Sequence, residues 1–223
     1  AQLREFIAFD PEQNFPSPSF VRQIENQNLH ALNIPELTII TPAALQTEAE
    51  RVAQLHREEG LTVAVIEQEK IFNEFSSGTP DASAYRRLMK MFYDRAEGNE
   101  NVRPRYLLLF GDGSYNNRKS MEKLHSPECN MLLTYQSKTS IDERESFVIE
   151  DYFGFLEDNS GEEIKVDKVC LGIGRFPISS IKNARLVVDK LYRYVHDKDF
   201  SSWKNNICIC LLYTSPSPRD YAA

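Results

Sequence analysis

The chain has 223 residues, 41% of them apolar and 26% charged, enough to build the core of one domain or one and a half. Its 33 acids against 26 bases leave a net charge of −7, which argues against a nucleic-acid partner because phosphate binding needs concentrated positive surface. The longest apolar runs, Tyr106 to Phe110 and Ile207 to Tyr213, fall far short of the roughly 18 to 20 residues of a membrane-spanning helix.

The opening Ala1-Gln2-Leu3-Arg4 lacks the basic-then-apolar pattern of a secretory signal. Either the protein is cytoplasmic or the targeting segment lies elsewhere. Leu3 to Phe9 alternates weakly and predicts a strand, after which Asp10-Pro11, Phe15-Pro16 and Ser17-Pro18 break regular structure repeatedly. Residues 1–35 read as the end of a preceding domain plus a linker, and an α/β unit follows over 36–210.

That unit begins with a strand at Leu37 to Ile40, and Thr41-Pro42 predicts a helix N-cap followed by proline at the first helical position. Leu45, Ala49, Val52 and His56 share one helical face, Gly60 stops the helix, and Leu61 to Ile66 is the next strand. A strand, helix and strand joined by short connections favour a right-handed parallel crossover. Lys70 to Thr79 ends in the loop signal Ser76-Ser77-Gly78-Thr79, and Pro80-Asp81 opens a helix with Tyr85, Leu88, Met89 and Phe92 as its buried stripe.

Tyr106-Leu107-Leu108-Leu109-Phe110 is apolar on both alternating faces and predicts a central parallel strand covered on both sides. It ends in Gly111-Asp112-Gly113-Ser114, which places Asp112 at the carboxyl end of a strand, where ligands collect in such sheets. No period holds from Ser114 to Ser146. Tyr152 to Leu156 predicts a short edge strand, Val166 to Ile173 a buried strand, and Gly174-Arg175-Phe176-Pro177 a turn. Ser179 or Ser180 then caps a helix with Ile181, Ala184, Val188, Leu191 and Val195 on one side, and Ile207 to Cys210 starts another strand. The alternation defines an α/β fold with a mainly parallel sheet flanked by helices. Residues 211–223, beginning Leu211-Leu212-Tyr213-Thr214-Ser215-Pro216, resemble translated sequencing-adaptor read-through and are set outside the fold as a non-native tail.

Several groups carry candidate chemistry. Asp112 is suited to orienting a histidine, binding a metal or closing a turn on its own amides. The Glu150-Asp151 pair could hold a calcium ion or a cationic substrate side chain. His125 and Cys129 are the one pairing that points toward a thiol and imidazole dyad, whereas Cys129, Cys170, Cys208 and Cys210 have no C-x-x-C spacing for a zinc or thioredoxin motif. No glycine-rich phosphate loop follows the first strand, which leaves a flavodoxin-like nucleotide binder without support.

Asn26-Gln27-Asn28-Leu29-His30, Ile71 to Asp81, Tyr106 to Tyr115, Asp151-Tyr152-Phe153-Gly154 and Gly172-Ile173-Gly174-Arg175-Phe176-Pro177 together resemble the type IX secretion sortases of the gingipain-type (C25) cysteine peptidases. The resemblance covers roughly Glu25 to Cys210. It implies a caspase/gingipain-like α/β peptidase domain, of which this chain holds the first subdomain, and an enzyme that removes C-terminal sorting domains from secreted cargo and joins the cargo to cell-surface lipopolysaccharide.

It also implies protein substrates, other type IX secretion components as partners, a place at the cell surface or outer membrane, and no required cofactor, with structural calcium as an option. The family's histidine, in a Gly-His-Gly turn, and its cysteine nucleophile lie downstream of this stretch, so the chain alone is expected to be inactive, with Asp112, Glu150, Asp151 and Cys170 near the cleft. Cys170 stands where related sequences tend to carry an acid that orients the histidine. The competing reading is a non-catalytic α/β binding module of a surface secretion complex.

Overall fold

The computed structural model describes residues 8–10, 12, 17–20, 22–124, 128–139, 141–163, 166–199, 201 and 205–207. The expected strands at Leu3 to Phe9 and Ile207 to Cys210, the tail from Leu211, and His125 lie wholly or largely outside these residues.

The first regular segment is β1 (Leu37–Thr41), buried throughout. The helix that follows is not capped at Thr41. That hydroxyl instead donates to the Phe110 carbonyl at 3.2 Å, a tertiary partner that local reasoning could not supply. A short 3-10 turn, Ala43–Leu45, drops Leu45 into the core, and only then does α1 (Gln46–Glu58) begin. Ala49, Val52, Ala53 and Leu55 are buried on its inner side, and Gly60, at φ +96°, closes its end in a conformation that costs glycine little.

Next come β2 (Val63–Glu67) and, directly from it, α2 (Gln68–Phe75), an eight-residue helix within the stretch where the sequence shows a loop signal only at its end. Helix α3 (Ser83–Arg95) buries Tyr85, Leu88, Met89 and Phe92 as their spacing predicts.

Strand β3 (Tyr106–Phe110) joins β1 in parallel, Leu37 opposite Tyr106 and Ile39 opposite Leu108, while β1 pairs β2 on its other side with Ile39 opposite Val65. The aperiodic region after β3 contains β4 (Asp112–Gly113), the one-turn α4 (Asn117–Ser120) and β5 (Met131–Leu132).

Tyr152 to Leu156 is not an edge strand. Asp151–Gly154 forms a 3-10 turn that lays Tyr152, Phe153, Phe155 and Leu156 under α3, and burial of four apolar side chains in sequence suits a wrapped turn better than an alternating edge. The next strand also shifts: β6 is Gly172–Phe176, so Gly174, Arg175 and Phe176 extend the sheet instead of turning, and Val166 is 80% exposed. Strand β6 pairs β3 in parallel, giving the order β2-β1-β3-β6.

Ser180 caps α5 (Ile181–His196), its side chain accepting from the Asn183 amide. Of the expected stripe only Ala184 and Val188 are fully buried, with Ile181 at 48% and Val195 at 40% exposure.

Two apolar cores lie on the two faces of the four-stranded sheet, one under α2, α3 and the wrapped 151–156 segment, the other under α1 and α5. This is the mainly parallel sheet flanked by helices that the alternation of elements predicts. Coverage of β3 is uneven: Leu107 and Leu109 are sealed toward α2 and α3, whereas Tyr106, 43% exposed, and the half-buried Leu108 border an open apolar groove of about 560 Å³ that Leu61, Gly174, Phe176 and Leu191 also line.

Glu36 fastens the amino ends of three strands. Its carboxylate accepts from the Thr62 amide at 3.1 Å ahead of β2 and lies 3.5 Å from Arg105 ahead of β3. The Thr62 amide chiefly, with Arg105 assisting, holds this carboxyl below its ordinary value of 4.5. A depressed folded-state pKa contributes stability that is present above the ordinary value and lost as pH falls through the lowered one. Glu36→Gln should therefore flatten the acid limb of a stability-versus-pH curve below about pH 4.5 and leave its neutral slope unchanged, as read by urea midpoints. Leu109→Ala, which empties a fully buried site in the central strand, should cost about 2–5 kcal/mol in the same titration at neutral pH.

Candidate functional site

All four strands of the main sheet are parallel, so their carboxyl ends open on one side, where side chains and loops from separate parts of the chain converge. The Gly111 amide donates to the Phe176 carbonyl at 3.1 Å and the Asp112 amide to the Ile178 carbonyl at 3.0 Å, so the chain leaving β3 stays beside β6 for two further residues. It then pairs as β4 with β5 in a small parallel sheet, Asp112 opposite Met131 and Gly113 opposite Leu132. A Cβ at Gly113 would stand 2.6 Å from Thr134 Cγ2 and 3.4 Å from the Arg175 guanidinium carbon, so the turn requires glycine for close approach.

Asp112 is half-buried in this turn and its Oδ1 accepts the Gly113 amide at 2.8 Å, the self-closing bond typical of aspartate in turns. At the fourth residue of β6, Arg175 spreads its fork across the floor below. Its Nε donates to Glu150 Oε1 at 2.7 Å and its Nη2 to Glu150 Oε2 at 3.1 Å, a bidentate pair. Nη1 reaches the Gly111 carbonyl and Nη2 the Leu133 carbonyl, each at 3.2 Å. One side chain, 11% exposed, thus ties the exit of β3, the segment after β5 and the entry to the 151–154 turn.

A neutral network continues from Leu133. Its amide donates to Tyr85 Oη at 3.3 Å, the Tyr85 hydroxyl donates to Gln68 Oε1 at 2.7 Å, and Gln68 Nε2 donates to the Met131 carbonyl at 2.8 Å and lies 3.3 Å from Cys129 Sγ. Burial pushes the Tyr85 phenol far above its ordinary range, so it acts as a neutral donor and acceptor.

The structure brings Asp112 and Glu150 together through Arg175 and the Gly111 carbonyl. Asp151, next to Glu150, is exposed on the first residue of its turn. Cys170 is not with them. It precedes β6 and so lies at the amino end of the sheet, half-buried, with Sγ 3.7 Å from the Lys168 carbonyl and roughly 17 Å of strand rise from Arg175. Cys129 is at the carboxyl-end side but buried, and burial pushes its thiol up, the opposite of what an activated nucleophile needs.

Among the described residues no three His, Cys, Asp or Glu side chains gather as a metal-binding group, and both oxygens of Glu150 face a guanidinium. Sequence reasoning missed Arg175, Gln68 and Tyr85 as site residues. The one available signal was a lone arginine within the Gly172 to Phe176 run; a strand assignment there would have shown a charge with no local partner.

The mainly parallel sheet with helices on both faces is a caspase/gingipain-like α/β fold. The family model of peptidase family C25 matches residues 30–213, and the chain belongs to that family. It is similar to PorU from Porphyromonas gingivalis, solved by crystallography in a dimeric latent form, with a TM-score of 0.71 and 43% identity over 82% of this chain and 18% of that one. The chain therefore spans less than a fifth of that relative. No curated protein matches the chain.

Replacing Arg175 by Met leaves Glu150 and two carbonyls without their donor and should cost about 3 kcal/mol, the lower end for a broken buried pair because Glu150 is 29% exposed. Arg175→Lys should recover less than half of this, since a single ammonium cannot reproduce the fork. A double-mutant cycle with Glu150→Gln in chemical denaturation checks both, with a coupling of about 0.5–3 kcal/mol expected.

Proposed function

We propose that this chain forms the first α/β subdomain of a C25-type cysteine peptidase acting as a sortase of type IX secretion. The observation that carries the reading is the C25 match over residues 30–213, with the similarity to PorU in support. In this reading the parent enzyme cleaves C-terminal sorting domains from secreted proteins at the cell surface and passes the new terminus to lipopolysaccharide. A thiolate attacks the scissile carbonyl, backbone amides hold the oxyanion, and a histidine gives its proton to the leaving amine. The resulting thioester is released by an acceptor nucleophile.

The subdomain described above contributes one wall of the cleft, with the Asp112 turn at the end of β3 backed by Arg175 and Glu150. The cysteine and histidine come from polypeptide downstream of these residues. Such chemistry needs no metal; a calcium ion, if one binds the parent, has a structural role. The competing reading, a non-catalytic binding module, draws on one observation: the two described thiols are either buried or at the far end of the sheet.

The two readings separate in one experiment. The purified 223-residue chain should release no product from a sorting-domain peptide, and Cys129→Ser should change nothing. The full-length parent should cleave the same peptide and lose that activity to a thiol alkylating agent. A parent that binds the peptide without cleaving it supports the binding module, and turnover by the short chain that is lost in Cys129→Ser overturns the assignment of the nucleophile.

A further inference from the structure

We propose that Glu74 is the latch of a detachable strap: residues 27–32 are clipped across α2 and α3 chiefly by this one carboxylate and by Arg95, and come away as a unit while the sheet stays folded. The inference concerns the approach of the chain to the domain and stands independently of the catalytic reading.

Glu74 lies in the last turn of α2 and reaches the strap with both oxygens. The Leu29 amide lies 2.7 Å from Oε1 and 2.9 Å from Oε2, the His30 amide donates to Oε2 at 3.4 Å, and Gln27 Nε2 donates to Oε1 at 2.8 Å; Gln27, at the strap's start, is also held by the Lys70 carbonyl at 2.7 Å and by Asn73 Nδ2 at 3.4 Å. His30 Nδ1, carrying a proton in this arrangement, donates to Oε2 at 2.7 Å. Leu29 and His30 begin a three-residue 3-10 turn that has no side-chain cap of its own, so the carboxylate of another helix satisfies the open amides of that turn.

From α3, Arg95 holds the other end, with Nη2 donating to the His30 carbonyl at 2.6 Å and Nη1 to the Leu32 carbonyl at 3.3 Å. The His30 ring stacks on Phe75 with centroids 4.7 Å apart.

Apolar burial contributes little by comparison. From residue 22 to residue 33 Leu29 alone is buried, and it is the strap's single member of the continuous core shared by α2, α3 and the sheet beneath. Regions with few buried apolar contacts open at free energies well below global unfolding. Glu74 is also a carboxylate near the negative end of a helix dipole, an unfavourable place unless donors from elsewhere compensate it. Burial works against its charge, but the Leu29 amide, Gln27 and His30 together outweigh this and hold its carboxyl below the ordinary range. Before Gln27 the chain continues beside the start of α2, where Arg22 pairs with Glu69, so releasing the strap would leave this ion pair as the next fastening and would not alter the strand ends.

Amide hydrogen exchange on the whole chain tests this in Glu74→Ala, a change that keeps α2 helical. Exchange at Leu29 and His30 should accelerate at least tenfold, with Ile39, Leu107 and Leu109 in β1 and β3 within twofold of the parent. Arg95→Met, which removes the strap's other fastening, should loosen the same two amides with the same quiet sheet, and it carries the test if Glu74→Ala does not fold. Unchanged exchange at Leu29 and His30 in the folded variants overturns the latch. Loss of protection there together with Ile39, Leu107 and Leu109 overturns detachability, because the strap would then belong to the cooperative core.

Discussion

The carboxyl end of the sheet depends on the Arg175 guanidinium. Parallel strands bring their ends to one side, and beyond the main sheet the chain leaving β3 keeps two further bonds to the β6 side and a two-residue pairing with β5, a short ladder that needs reinforcement. Arg175 supplies it: a bidentate pair with Glu150 and two bonds to the Gly111 and Leu133 carbonyls, all from one rigid plane. Its charge is tolerated because a carboxylate and two carbonyls replace the water it has lost. Gly113 is the counterpart of this arrangement, since any side chain there would collide with Thr134 and press on the fork itself.

The neutral network beyond Leu133 extends the same logic into the core. Tyr85 is the largest fully buried side chain with a polar end, and that end is shared between Gln68 and the Leu133 amide. Gln68 in turn holds the Met131 carbonyl, so β5 is fixed from beneath by α2, and Leu133 just after it by Tyr85 of α3 and by Arg175. Side chains from β6, α2 and α3 therefore fix a carboxyl end of the sheet that is built largely of short, irregular segments. The opposite end of the sheet is simpler, with Glu36 joining the entries of β1, β2 and β3, and it holds Cys170 apart from the other candidate residues.

The sequence reading was reliable where a period of residues reports a buried face. Tyr85, Leu88, Met89 and Phe92 fall where their spacing places them, Ser180 caps α5, and the alternation of strands and helices is the parallel α/β fold observed. It misplaced Tyr152 to Leu156 because a run of apolar residues carries no sign of whether it pairs as an edge or wraps under a helix. It misplaced β6 because Gly174 followed two residues later by Phe176-Pro177 mimics a turn, whereas the pairing with β3 carries the strand through Phe176. The spread of α5's apolar residues likewise gave the helix but not how little of it would be covered.

The sequence by itself determined the class of fold, the central strand and the peptidase family its motifs resemble, since these follow from local hydrophobic period and from strings of residues read in order. Tertiary structure alone decided which of the candidate residues share a site. Asp112 and Glu150 are 38 positions apart and are linked through Arg175, 25 positions further on, which bonds to the Gly111 carbonyl beside one and to the carboxylate of the other. Cys170, five positions before that arginine, is separated from it by nearly the full length of a strand. Proximity along a chain and proximity in a parallel sheet are different quantities, because a strand carries consecutive residues about 3.3 Å further from one end with each step.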